Sequence, residues 1–299
     1  MKLDTCQIEH KMKLIAHSPH KKIMKLEIIS KYPVGSTCAT PLLFVHGACH
    51  AAWCWDVHFL DYFAQHGFTV HAVSLREHGN SEGLGKLRWT RIADYVDDVA
   101  NTVRQLPNPP VLIGHSMGGF VIQKYLEDHP APAGVLLASA PPAGILPSTL
   151  RIARRHPMAT AKANLTCSWL PLMHTSRFVR ENLFSEDMAD EEVLSYSKQF
   201  KDESFLAYLD MLALDLPKPE KVKTPLLVLG GAQDNFIRPS EIIATAQAYD
   251  APYEIVPNTA HEMMLDTRWR TVAERILHWL KERKLMQQLL SAGFSSELD

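Results

Sequence analysis

The sequence runs to 299 residues, 46% hydrophobic and 21% charged, with a formal net charge of -2 at pH 7. That length and apolar content allow a large α/β core, with or without an insertion, and the near-neutral balance provides no basic footprint for nucleic acid. No apolar run approaches a membrane span, no secretory leader is visible, and five scattered cysteines argue against a disulfide framework, so stable membrane insertion is not expected and a reduced, cytoplasmic location is. In chain order, two alternating segments come first, KMKLIAHS and KIMKLEIIS, and are expected to form an antiparallel pair. Short continuous apolar runs follow: PLLFVHG, FTVHAVSL, PPVLIGHS, AGVLLASAP, PLLVLGGAQD and YEIVPNT. They alternate with helical stretches over residues 51–66, 92–106, 117–129, 239–249 and 267–284. This rhythm predicts an α/β fold with a mostly parallel eight-stranded sheet and helices on both faces.

Between residues 145 and 216 the rhythm breaks into helical sequence without a convincing strand, then resumes at Pro225. The expected organisation is a core of residues 1–144 and 217–285, a helical cap over 145–216, and a polar tail over 286–299. Local basic spots such as Arg151, Arg154 and Arg155 fit the solvated face of a helix. Cys49 and Cys54 with His50 and His58 fall in a stretch of helical periodicity. No second ligand pair stands at zinc-like spacing, so no metal is assigned.

The chemistry concentrates in GHSMGG, residues 114–119, where an apolar strand gives way to a helix. Glycines two residues before and after Ser116 permit a tight strand–turn–helix that lifts the hydroxyl above the sheet, with helix N–H groups beneath it. A serine attacks only when a base takes its proton, and the base needs an orienting carboxylate. In this architecture the order is serine, acid, histidine. His261, in the loop PNTAHEMML after the last strand, is the expected base; His278 sits at helical spacing among apolar residues. Asp234, directly after PLLVLGGAQ, is the expected acid. The N–H groups of Met117 and of Ala48, in FVHGACH, are the expected oxyanion donors. Apolar cap residues Met158, Leu165, Trp169, Leu172, Met173, Phe178 and Phe184, with Met263 and Met264 beside the histidine, are candidate pocket residues. Of these Trp169, Met173, Phe178 and Met263 are singled out for substrate contact.

Taken together, HGACH, REHGNSEG, GHSMGG, GGAQDNFIRPSE and NTAHEMMLD resemble the α/β-hydrolase superfamily over about residues 11–285. GHSMGG and HGNSEG are similar to the esterase, monoacylglycerol-lipase and lysophospholipase-like members. That resemblance implies an acyl pocket between cap and sheet, with HGNSEG a structural turn near the site. HGACH is also similar to the plant methylesterase and hydroxynitrile lyase group. The lyases place lysine directly after the base, where this chain has Glu262, which argues against cyanohydrin cleavage. Dehalogenases and epoxide-opening members carry aspartate at the nucleophile position, and Ser116 argues against both.

The expected function is hydrolysis of small apolar or acyl-type esters through an acyl-enzyme, with no cofactor. The alternatives are lactone opening, carbon–carbon hydrolysis or perhydrolysis by the same triad, and a non-catalytic ligand-binding member of the fold. Absence of an acyl-enzyme signal with a reactive phosphonate would single out the last. Oligomeric state is not legible.

Overall fold

The six continuous apolar runs all become parallel strands, because residues apolar on both faces are stable only where helices cover both sides of a sheet. The structure, a computed structural model, describes residues 24–35 and 37–286. The strands are β1 (Ile28–Lys31), β2 (Leu42–Val45), β3 (Val70–Val73), β4 (Val111–His115), β5 (Gly134–Leu137), β6 (Leu226–Gly231) and β7 (Tyr253–Val256). They form one sheet in the order β1-β3-β2-β4-β5-β6-β7. Only β1 runs antiparallel, with Ile28 opposite Val73. β2 to β6 are buried along their whole length, whereas edge strands β1 and β7 are partly exposed. The described residues therefore give seven strands where eight were expected. The remaining one, KMKLIAHS, lies outside them, and of KIMKLEIIS the residues Ile28, Ile29 and Ser30 pair with β3.

The core helices are α1 (Trp53–Asp56), α2 (Phe59–Gln65), α3 (Ile92–Gln105) and α4 (Met117–Tyr125). The helical stretch expected over 51–66 is thus two short helices. In α3 the buried positions Ile92, Tyr95, Val99 and Thr102 recur at helical spacing, and the helix packs against α4. On the sheet, Phe44 meets Trp55, Phe59 and Phe63 with ring centroids 5.0, 6.3 and 5.7 Å away.

Between β5 and β6 come α5 (Leu146–Arg155), α6 (Pro157–Thr166), α7 (Leu170–Met173), α8 (Ser176–Asn182), α9 (Asp190–Ser197) and α10 (Phe205–Leu209). Pro157 has no N–H to extend α5 and a φ suited to a first turn, so one helix stops and the next begins there. Ion pairs fasten this layer to the core, those of Arg91 and Arg151 among them. Arg91 Nε lies 2.9 and 2.7 Å from the two carboxylate oxygens of buried Asp210, and Arg151 pairs with Glu241. The chain closes with α11 (Pro239–Ala248) and α12 (Trp269–Glu282). Among the described residues, no helix is long and apolar enough to cross a membrane.

Candidate active site

Ser116 stands between β4 and α4 at φ 51°, ψ -116°, a region that costs an L-residue free energy and persists only when its surroundings enforce it. They do so here: Ser116 N–H donates to Leu137 C=O (3.0 Å), and Ser116 C=O accepts from Phe120 (3.2 Å) and Ala140 (3.1 Å). The flanking glycines serve close approach. A Cβ on Gly114 would stand 2.6 Å from the Gly118 oxygen, and one on Gly118 would collide with the backbone oxygens of Val45 and His46. Gly118→Ala is therefore expected to cost about 1–3 kcal/mol by overpacking. A lowered urea midpoint with unchanged slope would be the readout, and an unchanged midpoint would refute it.

Asp234 follows the end of β6, where Gly231 lets the loop at Thr259 and Ala260 come against the strand; a Cβ there would collide with both of their carbonyl oxygens. That approach brings Asp234 and His261 together. His261 Nδ1 donates to Asp234 Oδ2 at 2.8 Å, while Asp234 Oδ1 accepts from the N–H groups of Phe236 and Ile237, each at 2.8 Å. Burial raises the Asp234 carboxyl above its ordinary value, opposed by His261 and the two amides. Burial by itself would lower His261, but the charge and hydrogen bond of Asp234, with Glu262 behind them, outweigh it and leave the imidazole above its ordinary value. Three donors on two carboxylate oxygens keep Asp234 the accepting partner, so the shared proton stays on Nδ1 and Nε2 is left free.

Ser116 and His261 line one cavity with Ala48, His50, His115, Met117, Trp169, Met173, Phe236 and Glu262. The serine is 6% exposed, since the helices between β5 and β6 lie over it; its hydroxyl faces an enclosed pocket and not the open surface. Met117 opens α4, where the first N–H groups have no partner one turn earlier. The Ala48 N–H is oriented by a neighbour. His46 Nε2 accepts from Leu75 N–H (3.0 Å), so its Nδ1 carries the hydrogen and donates to Gly47 C=O (2.8 Å). Burial foremost pushes His46 down to about 3 and keeps it in that neutral form. In a planar trans peptide the N–H points opposite to the C=O, so the Ala48 N–H is turned away from His46.

A second cavity shares Ile145, Trp169 and Phe236 with the first and continues past Ile152, Leu172, Phe205 and Tyr208. Of the four residues singled out for substrate contact, Trp169 and Met173 line the site, but Phe178 and Met263 do not. Phe178 packs edge-on against His156 at 5.4 Å within the helical layer. Met263 N–H bonds back to His261 C=O (2.8 Å), a tight turn whose fully buried Met263 and Met264 belong to the core. Met158 and Leu165 are exposed, and Phe184 stacks on Tyr196.

Sequence reasoning missed Glu203. Its buried carboxylate accepts from Cys49 N–H (3.2 Å), His78 Nε2 (3.1 Å), Tyr95 OH (2.6 Å) and Ser204 N–H (2.6 Å). It ties the layer over the site to the loop bearing Ala48 and to the HGNSEG turn. Reading a sequence offers no signal for this, because its partners at 49, 78 and 95 meet only in the fold.

A fold with a strained serine between strand and helix, and an Asp–His pair on later loops, defines the α/β-hydrolase class. Residues 42–275 match the model of the alpha/beta hydrolase family. The chain belongs to that family. Over 113 residues it is 30% identical to a pyrethroid hydrolase of Sphingobium wenxiniae, covering 37% of this chain and 40% of that protein. Over 96 residues it is 31% identical to Methylesterase 10 of Arabidopsis thaliana, covering 31% and 34%. These alignments thus span two fifths or less of either relative. Among solved structures, a putative non-heme bromoperoxidase, BpoC, of Mycobacterium tuberculosis superposes with a TM-score of 0.71 at 21% identity, covering 89% of this chain and 99% of that one. A thermophilic esterase of Thermogutta terrifontis does so with a TM-score of 0.65 at 19% identity, covering 90% and 97%. At such identities the likeness is one of fold.

Proposed function

We propose that the protein is a serine hydrolase of carboxylic esters, acting on uncharged acyl-type or aromatic small molecules. The observation that carries this reading is the 2.8 Å bond between His261 Nδ1 and Asp234, with His261 and Ser116 lining the same buried cavity. His261 Nε2 takes the Ser116 proton as the hydroxyl oxygen attacks the ester carbonyl carbon. The carbonyl oxygen, now negative, is met by the N–H groups of Ala48 and Met117. Collapse of this intermediate expels the alcohol, which receives the proton from His261, and leaves an acyl-serine. Water, deprotonated by His261, then attacks the acyl carbon and frees the acid and Ser116. The names of the pyrethroid hydrolase and the methylesterase among the relatives favour ester bonds over the other bonds a triad can cleave.

Hydrolysis of p-nitrophenyl esters from acetate to palmitate, beside fluorophosphonate labelling of Ser116, tests the reading. A chain-length optimum with labelling supports it. Labelling without turnover at any length moves the function to lactones or carbon–carbon bonds. The apolar second cavity is the proposed seat of the acyl chain. Ile152→Trp is expected to lower kcat/KM for long esters relative to acetate by about tenfold or more, and an unaltered chain-length profile would remove that cavity from the reading.

The base must be unprotonated to act, so rate rises with pH through the His261 pKa. Because Asp234 holds that pKa above 6.5, the acid limb of kcat/KM is expected to have its midpoint above pH 6.5. Asp234→Asn, which removes the charge, should move the midpoint down; an unmoved limb would assign it to another group.

A further inference from the structure

Behind the serine lies a group of buried donor atoms that hydrolysis does not use. His115 Nδ1 and Glu262 Oε2 are both buried without a hydrogen-bond partner, 4.0 Å apart, in residues that line the Ser116 cavity. One ligand atom from each of His115, His261 and Glu262 lies within 4.8 Å of the other two. His50 Nε2 approaches Glu262 Oε2 to 3.2 Å, but out of line for a hydrogen bond.

Both imidazoles are already oriented in the way metal ligands usually are, with the other ring nitrogen tied to an oxygen. His261 Nδ1 donates to the Asp234 carboxylate (2.8 Å), leaving the Nε2 lone pair free. His115 Nε2 donates to the His261 carbonyl (2.9 Å), leaving the Nδ1 lone pair free. The Nδ1 face stays open because residue 47 is glycine: a Cβ there would stand 2.6 Å from it. Two imidazoles, each with one ring nitrogen already tied to an oxygen, and a carboxylate thus bring a ligand atom apiece to within 4.8 Å of one another in a buried place. Ligand atoms held about 2.1 Å from a tetrahedral ion are about 3.4 Å apart, so a modest contraction completes the set. Two imidazoles and one carboxylate suit a borderline divalent cation of the zinc class, and oxygen-seeking calcium or magnesium poorly.

We infer that His115, His261 and Glu262 form an inhibitory site for a zinc-class divalent cation. The ion occupies the lone pair that His261 needs as a base, so hydrolysis stops while it is bound and resumes when a chelator removes it. No bond in the protein is made or broken beyond the coordination itself. The inference rests on His261 being the base of the proposed hydrolase.

The test uses the full chain stripped of metal. Co²⁺, whose low-coordinate complexes absorb visibly, is titrated in, and Zn²⁺ is added in parallel while fluorophosphonate labelling of Ser116 is followed. The expected result is a saturable visible band that Zn²⁺ displaces. Labelling should slow by about tenfold or more with Zn²⁺ and recover with EDTA, and Glu262→Gln and His115→Gln should each weaken Co²⁺ binding by about tenfold or more. No band overturns the site, as does binding that neither substitution weakens, or binding that leaves labelling untouched. Should Glu262→Gln fail to fold, His115→Gln decides alone. Normal Co²⁺ binding in a protein that never labels, even metal-free, would support the site and count against the hydrolase reading, so the two failures are distinguishable.

Discussion

Ser116→Ala is expected to lower kcat for ester hydrolysis by a factor on the order of 10⁶ while leaving stability nearly unchanged. The chemical loss is large because neither His261 nor water can supply an oxygen at the position the serine occupies. The structural loss is small because the strained turn is held by its backbone. The bonds from Ser116 N–H to Leu137 C=O and from Phe120 and Ala140 to Ser116 C=O survive removal of Oγ, as does the close packing of Gly114 on Gly118. Asp234→Asn should cost less, on the order of 10⁴, since the imidazole and nucleophile remain and what is lost is the orientation of one by the other. Residues that act as a unit do not add. A Ser116→Ala, His261→Ala double variant should therefore be no slower than Ser116→Ala alone. Steady-state rates of the three variants, with urea midpoints alongside, check the set. A Ser116→Ala protein retaining more than about a hundredth of wild-type kcat would sink the triad assignment, given the size of the expected effect.

The parts of the site that the sequence makes legible are those fixed by local geometry. GHSMGG announces a strand, a turn too tight for side chains, and a helix within six residues, and φ 51° at Ser116 is that turn. Asp234 and His261 are legible for a related reason: each follows a strand of a parallel sheet, and strand ends on one side of such a sheet must be near one another. Helical periodicity, by contrast, says that a face is buried but not against what. Trp169 and Met173 face the cavity while Phe178, equally apolar and more deeply buried, faces His156. Depth was hidden too. The rhythm of the sequence predicts a helical cap, but how far that cap buries the serine, to 6% exposure, is set by packing that periodicity does not encode. Glu262, notable in the sequence only as a departure from lysine, proves to be buried beside His50 and His115. Burial opposes its ionisation, yet His50, then His115, hold its carboxyl down to about 2.

Glu203→Gln is expected to destabilise the fold by about 3–5 kcal/mol, the usual cost of breaking a buried ion pair by removing one partner. His78 Nδ1 faces the Arg76 carbonyl at 2.9 Å and Nε2 faces Glu203 at 3.1 Å, so both ring nitrogens donate and the ring is an imidazolium. Burial works against both charges, but each holds the other: Glu203 is brought down to about 2, and His78 is raised above its ordinary value. A glutamine keeps the shape but offers an NH₂ group where an oxygen had met donors, and it leaves the imidazolium without a counter-charge. The pH dependence follows from the two shifts. The Glu203 contribution is present above pH 4.5, its unfolded value, and is lost as pH falls toward 2. The His78 contribution is present below pH 6.5 and is lost as pH rises through its elevated folded value. The difference in urea midpoint between wild type and Glu203→Gln should thus be widest between pH 4.5 and 6.5. Activity should fall as well, in kcat more than in KM, because the same carboxylate holds Cys49 N–H beside the Ala48 donor. Equal stability of the two proteins in that window would mean that the buried pair contributes nothing net. A stable Glu203→Gln protein with full kcat would sever the helical layer from the positioning of the Ala48 loop.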